Sequence, residues 1–171
     1  MKKIKRIWNT VTTVLVVLIV LLAALLWGPR LIGMDVFVVQ SGSMEPDYHV
    51  GSVVYVRQTD AAELDVGDVI TFHLSGNVRG THRIIEVVEE DGTRAFRTKG
   101  DANDSPDNSL VTPSQIVGKV LFTIPWLGFL ASYIQQPPGT YVMFSAIALI
   151  LLLIILPDVL FDDKKKKETA K

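Results

Sequence analysis

The sequence contains no cysteine, which removes thiol nucleophiles, thiolate metal sites and disulfide staples from the chemistry open to it. Histidine is scarce as well. Only His49, His73 and His82 occur, so an imidazole base must be one of these three. The chain also lacks an excess of charge of either sign: 17 Lys and Arg against 18 Asp and Glu leave a formal net charge of -1. No global basic field therefore points to nucleic acid. Apart from a lysine-rich tail there is no low-complexity tract, and there is no internal repeat or glycine-rich phosphate loop, which leaves nucleotide binding unsupported.

What the chain has in abundance is apolar side chains, 49% of its 171 residues, and they are unevenly spread. Two runs, Val11 to Trp27 and Tyr141 to Leu156, contain no charge and leave about 110 residues between them for a small folded core. Lys2, Lys3, Lys5 and Arg6 precede the first run, which as a helix covers about 25 Å and reaches a tilted or thinned bilayer crossing once Trp8 and Trp27 are counted as interfacial flanks. A cleaved signal peptide is the competing reading. Trp27-Gly28-Pro29-Arg30 offers no small-x-small cleavage pattern, so retention as an anchor is expected.

The second run follows the breaker Gln135-Gln136-Pro137-Pro138-Gly139 and precedes Lys164 to Lys167. Basic clusters beside both runs put both termini in the cytoplasm by the positive-inside rule, with the middle facing outward. Taken singly, the lysine run also fits a solvated tail and the second run a buried helix of a soluble core. Together they give one consistent topology: a cytoplasmic basic N-terminus over 1–10, a transmembrane helix over 11–27, an extracytoplasmic domain over 34–134, a second transmembrane helix over 140–156 and a cytoplasmic basic tail over 157–171.

Between the runs, short β-branched stretches punctuated by turn residues predict a mainly β domain, a small antiparallel barrel or sandwich carried on the two transmembrane helices. Strands are expected over Val36 to Val39, Ser52 to Arg57, Asp68 to His73, His82 to Val88, Arg94 to Thr98 and Ile116 to Phe122. Gly67-Asp68, Ser75-Gly76-Asn77 and Asp91-Gly92 are the expected turns. Ile124 to Leu130 is apolar but short and broken, suited to the membrane surface or to closing the core.

The candidate nucleophile is Ser43. Gly42 and Pro46 bracket it with one permissive and one rigid backbone position, which suits presentation of a short side chain on a tight turn. A serine needs a base and donors for the developing oxyanion. His82, at the start of an alternating strand, is well placed to be that base, since an imidazole takes and returns a proton near neutral pH. A carboxylate to fix its tautomer is available among Asp101, Asp104 and Asp107, in a loop that follows a strand. On the residues alone, His82 also fits a strand histidine bonded to backbone, and the aspartates fit an Asx-turn loop or a cation site.

Four segments in order, Ser41-Gly42-Ser43-Met44-Glu45-Pro46, Gly67-Asp68-Val69-Ile70-Thr71-Phe72, Thr81-His82-Arg83-Ile84 and Thr98-Lys99-Gly100-Asp101-Ala102-Asn103, closely resemble the boxes of type I signal peptidases. Where the common bacterial version has a lysine base, this chain has His82. It thus resembles the endoplasmic-reticulum-type branch, found also in archaea and some Gram-positive bacteria, which uses Ser, His and Asp. The resemblance implies Ser43 as nucleophile, His82 as base, and the Ser43 backbone N–H with the Ser41 hydroxyl as the oxyanion hole. Asp107 is favoured to orient His82, with Asp101 as the rival and Asp104 as a solvated turn residue. Met44 and Pro46 then seat the turn, and Glu45 is a solvated or structural charge and not a second base.

The expectation is a membrane-bound serine endopeptidase that removes signal peptides from exported precursors, with no metal or organic cofactor. Its partners would be signal-peptide-bearing precursors, the lipid bilayer and accessory membrane subunits, and not nucleic acid. A catalytically silent membrane protein whose β domain binds exported polypeptides is the alternative. A self-cleaving Ser-Lys repressor-type protease is a third, opposed by the two membrane runs and by histidine at position 82.

Overall fold

The computed structural model describes residues 2–76, 78–90 and 92–168; Asn77 and Asp91, each in an expected turn, and the side chains of Lys164 to Lys167 lie outside the described residues. The chain forms two compact units. One is Trp27–Ser132, and the other joins the helical segments before Trp27 and after Ser132.

The Trp27–Ser132 unit is built on six antiparallel strands, β1 (Met34–Val38), β2 (Val53–Arg57), β3 (Val69–Ser75), β4 (Val78–Glu90), β5 (Thr93–Lys99) and β6 (Ile116–Ile124), in the order β1-β2-β6-β3-β4-β5. Each expected strand is present. The largest difference is β4, which runs from Val78 instead of His82, because Val78 and Gly80 continue the ladder against Ser75 and Phe72 back to the turn. Gly67, Gly76 and Gly92 have positive φ, the conformation that glycine adopts without a Cβ penalty. Short 3-10 turns at Ala61–Glu63 and Pro113–Gln115 were not expected; Asp60 caps the first by accepting the Ala62 N–H.

Burial divides the apolar side chains between two clusters. Leu64, Ile70, Phe72, Ile84, Phe96 and Val111 form one, and Met44, Val54, Val56, Val69 and Val120 the other. Neighbours Val69 and Ile70 on β3 go to different clusters, as the two-residue period of a strand requires. Each fully buried side chain of this size contributes about 1.5–3 kcal/mol, so the β-branched composition that predicted strands also holds the sheet together.

Ile124 to Leu130 ends β6, turns at Pro125 and Trp126, and opens α2 (Leu127–Gln135). The Gly128 N–H donates to the Gly51 carbonyl at 2.9 Å. A Cβ on Gly51, whose φ is +80, would enter the Phe129 ring, so this segment closes tightly over the loop before β2. Gly128 and Ala131 are buried there, while Trp126 and Phe129 stay exposed.

The helical unit consists of most of α1 (Lys2–Leu31) and of α3 (Gly139–Glu168). Both outrun their apolar cores. Lys3–Leu31 and Gly139–Leu156 are long and apolar enough to cross a membrane, with mean hydropathy 2.7 and 2.6, and only 6% of either window is buried. That exposure does not suit the buried helix of a soluble core. A hydrogen bond joins the pair: the Trp8 indole N–H donates to the Leu153 carbonyl at 2.8 Å. In a regular helix that carbonyl would accept from residue 157, which is proline and has no N–H. Trp8 occupies the acceptor that Pro157 leaves empty.

Candidate active site

The loop between β1 and β2 carries Ser43. Its base is pinned by Val39 N–H to the Ser52 carbonyl and Gly51 N–H to the Val39 carbonyl, both 2.9 Å. Inside it, Glu45 N–H bonds the Gly42 carbonyl and Tyr48 N–H the Met44 carbonyl. Met44 is buried in the second core cluster and anchors the turn from below. The Glu45 carboxylate accepts from the Val50 N–H at 3.2 Å and pairs with His49 at 2.5 Å. Those bonds make Glu45 a brace of the loop.

His82 lies on β4 opposite Ile70 of β3, with its ring edge-on to Phe72. Its Nε2 is 3.2 Å from Ser43 Oγ, and its Nδ1 is 2.6 Å from Asp107 Oδ2. An ionised carboxylate only accepts, so Nδ1 carries the proton and Nε2 faces Ser43 with its lone pair. The His82 and Asp107 side chains are 14% and 25% exposed, enough burial to strengthen their interaction relative to water. Of the other histidines, His49 pairs with Glu45, and His73 contributes its carbonyl to Gln115.

Asp101 is turned elsewhere. Both its oxygens bind Arg83, at 2.8 Å to Nε and 2.6 Å to Nη2. Arg83 also reaches Asp47 Oδ2 at 2.9 Å and the Gly67 carbonyl at 3.0 Å. This clamp joins the Ser43 loop, the Gly67 turn and the Asp101 loop. The Asp101 hydrogen bond raises the Arg83 pKa above its ordinary value against the opposing effect of burial. Tyr48, beside it, is also raised, by burial first and against the pull of the Arg83 charge. Asp104 is exposed.

Ser41 Oγ stands 3.4 Å from Ser43 Oγ on the exposed side of the turn. The aspartate-bearing loop touches the backbone of Ser43 directly: Ala102 N–H donates to the Ser43 carbonyl at 2.9 Å. A Cβ on Gly100 would lie 2.5 Å from that same oxygen. Glycine is therefore required where the two loops meet.

Ser43 and His82 border an open cleft of about 490 Å³, whose walls include Phe37, Val39, Leu74 and Val78. Polar groups, Gln40, Arg79 and Thr81 among them, share the lining, and a hydroxyl, an imidazole and a carboxylate in series are an arrangement that suits acyl transfer. Among the described residues no group of three or more His, Asp or Glu side chains is arranged to hold a metal ion.

Sequence reasoning did not single out Arg83, Asp47 or Thr98. Arg83 adjoins His82 and Thr98 opens the Thr-Lys-Gly-Asp box, but their partners are set by strand pairing and loop return, which no local pattern encodes. Thr98 donates from Oγ1 to Asp107 Oδ2 at 2.6 Å.

Residues 9–90 match the family described as signal peptidase, peptidase S26, a segment that contains Ser43 and His82. Signal peptidase I W of Bacillus subtilis is 39% identical over 89 residues, 52% of this chain and 47% of that protein. The signal peptidase complex catalytic subunit SEC11C of Homo sapiens is 30% identical over 112 residues, 60% of this chain and 58% of that protein. The corresponding SEC11 subunit of Pyricularia oryzae is 27% identical over 129 residues, covering 68% and 75%. The chain spans about half the length of the first two of these relatives.

Proposed function

We propose that this chain, whose residues 9–90 match the signal peptidase, peptidase S26 family, is a membrane-bound serine endopeptidase that cleaves signal peptides from exported precursors. The observation that carries this reading is the hydrogen-bonded series Ser43–His82–Asp107, with Ser43 and His82 at the wall of an open cleft lined by both polar and apolar side chains.

In the proposed mechanism, Ser43 Oγ attacks the scissile carbonyl carbon as its proton passes to His82 Nε2, and Asp107 stabilises the resulting imidazolium. The oxyanion is held by the Ser43 backbone N–H and the Ser41 hydroxyl. Collapse of the tetrahedral intermediate breaks the peptide bond, and His82 returns the proton to the leaving amine. His82 then takes a proton from water, whose oxygen attacks the acyl carbon, and returns that proton to Ser43 Oγ as the acyl–Oγ bond breaks.

The helices support a matching placement. With Lys3–Leu31 and Gly139–Leu156 as spans and basic residues at 2–6 and 164–167, both termini are cytoplasmic and residues 34–134 face outward. Ser43 then lies on the side of the membrane to which precursors are exported. The division of alternate β3 side chains between two core clusters supports a sheet folded over on itself, as in a small barrel or sandwich. Two of the relatives are catalytic subunits of complexes by name, which supports a search for accessory membrane subunits.

The test is cleavage of a signal-peptide-bearing precursor by the full chain in proteoliposomes. Ser43→Ala and His82→Ala are each expected to lower kcat by about 10⁴ or more while membrane insertion is unchanged. Wild-type protein that binds precursor without cutting it would leave a silent binding protein as the better reading, and a Ser43→Ala variant that cleaves as well as wild type would remove Ser43 as the nucleophile.

A further inference from the structure

Asp107 Oδ2 receives two donors: His82 Nδ1–H and the Thr98 hydroxyl, each at 2.6 Å. Thr98 sits on β5 opposite Ile84 and is fully buried. Its carbonyl accepts the Asp107 N–H at 2.8 Å, so this one residue holds Asp107 by main chain and side chain at once. The terminal torsion of an aspartate is broad and nearly two-fold. With a partly exposed carboxylate, as here, an untethered Asp107 would turn an oxygen to water as easily as to the imidazole.

We propose that Thr98 is a positioning residue of the reaction: its hydroxyl fills the second acceptor site of Asp107 Oδ2, locks the carboxylate against His82 Nδ1, and so keeps the Nε2 lone pair on Ser43. Thr98 touches no substrate. It acts through Asp107, and the inference rests on the reading of Ser43, His82 and Asp107 as the catalytic series.

The experiment is a double-substitution cycle on the full chain in proteoliposomes with a precursor substrate. Thr98→Val replaces the hydroxyl by a methyl group at nearly constant volume and suits a strand. It is expected to lower kcat by about 10- to 100-fold, the range of a hydrogen bond to a charged group, with KM within about twofold of wild type. Thr98→Ser keeps the hydroxyl and is expected to stay within about threefold of wild-type kcat. In an Asp107→Asn background, Thr98→Val is expected to have almost no further effect, whereas a purely structural role would subtract the same factor again.

Thermal melting of each variant separates loss of fold from loss of positioning. Should Thr98→Val not fold, Thr98→Ala enters the same cycle, and Thr98→Ser tests the hydroxyl independently. A Thr98→Val or Thr98→Ala effect that persists undiminished in the Asp107→Asn background overturns the inference. So does a folded Thr98→Ser as impaired as Thr98→Val. An Asp107→Asn variant with wild-type activity overturns instead the catalytic reading on which the inference stands.

Discussion

The two units of this chain use apolar residues in opposite ways. In the sheet unit Val53, Val54, Tyr55, Val56, Ile70, Ile84 and Phe96 are buried almost completely, and most of the polar groups beside them are paired, the buried Ser52 hydroxyl being an exception. Thr71 bonds Thr81, Thr98 bonds Asp107, and Arg83 bonds Asp47 and Asp101. In the helical unit Val14, Leu18, Val20, Phe144, Leu149 and Leu152 face outward. The first arrangement suits water, where apolar area must be hidden and buried polar atoms must find partners. The second suits a hydrocarbon surround, where an outward leucine carries no penalty and an unpaired backbone carbonyl does. Solvent, more than composition, explains the difference.

The sheet unit is where this comparison breaks most visibly, because two partly buried aspartates there have different partners, Asp107 pairing with His82 and Asp101 with Arg83, and the proposed mechanism gives only the first a part in the chemistry. Asp107→Asn removes the acceptor that fixes the His82 tautomer and is expected to cost about 10⁴ in kcat, measured on precursor cleavage. Asp101→Asn leaves that series intact and loosens the Arg83 clamp. It is expected to cost about 1–3 kcal/mol in unfolding free energy but only about tenfold in kcat, since the clamp acts on loop position. The Arg83 pKa is raised in the fold, so its contribution is complete below the unfolded value and lost only as pH rises through the folded one. The guanidinium side of the clamp therefore does not titrate near neutrality. Equal kinetic losses in the two Asn variants would erase the distinction between the aspartates.

A smaller effect is expected at Ser41. Its hydroxyl lies on the exposed side of the turn, 3.4 Å from Ser43 Oγ, and as an oxyanion donor its removal in Ser41→Ala should lower kcat by about 10² to 10³ with little change in KM. A drop below tenfold would assign the oxyanion to backbone donors alone.

The six strands and two apolar helices were legible because period-two alternation, β-branched runs and glycine turns are local signals. Strand ends were less so: β4 begins four residues early because its partner β3 pairs it as far as Ser75, a non-local cause. The candidate site divides in the same way. Ser43 and His82 were singled out from their boxes, but the choice between Asp101 and Asp107 could not be made from spacing. Both follow Gly100 within a few residues, and what separates them spatially is the return of the loop to Thr98, where the Asp107 N–H meets a strand carbonyl. Arg83 was invisible as a clamp for a related reason: it neighbours His82 on a strand, so its side chain leaves by the opposite face, toward loops distant in sequence.

The helical unit allows a subtler test of the same principle. Trp8 reads in the sequence as an interfacial aromatic, yet its indole also donates to the Leu153 carbonyl that Pro157 leaves without its helical partner. In water that carbonyl would find a solvent donor and the bond would matter little. In a bilayer the alternative is an unsatisfied acceptor, and hydrogen bonds between membrane helices contribute about 0.6–1.7 kcal/mol. Trp8→Phe keeps the apolar ring and deletes the donor, so it should weaken association of the two helices by about that amount while precursor cleavage per folded molecule is unchanged. Pairing of the helices measured by energy transfer in lipid bilayers checks this. The companion Pro157→Ala restores a backbone donor to Leu153, and in that background Trp8→Phe should lose most of its effect. If it does not, the tryptophan is held by packing and interface preference alone, and the carbonyl opposite it carries no special demand.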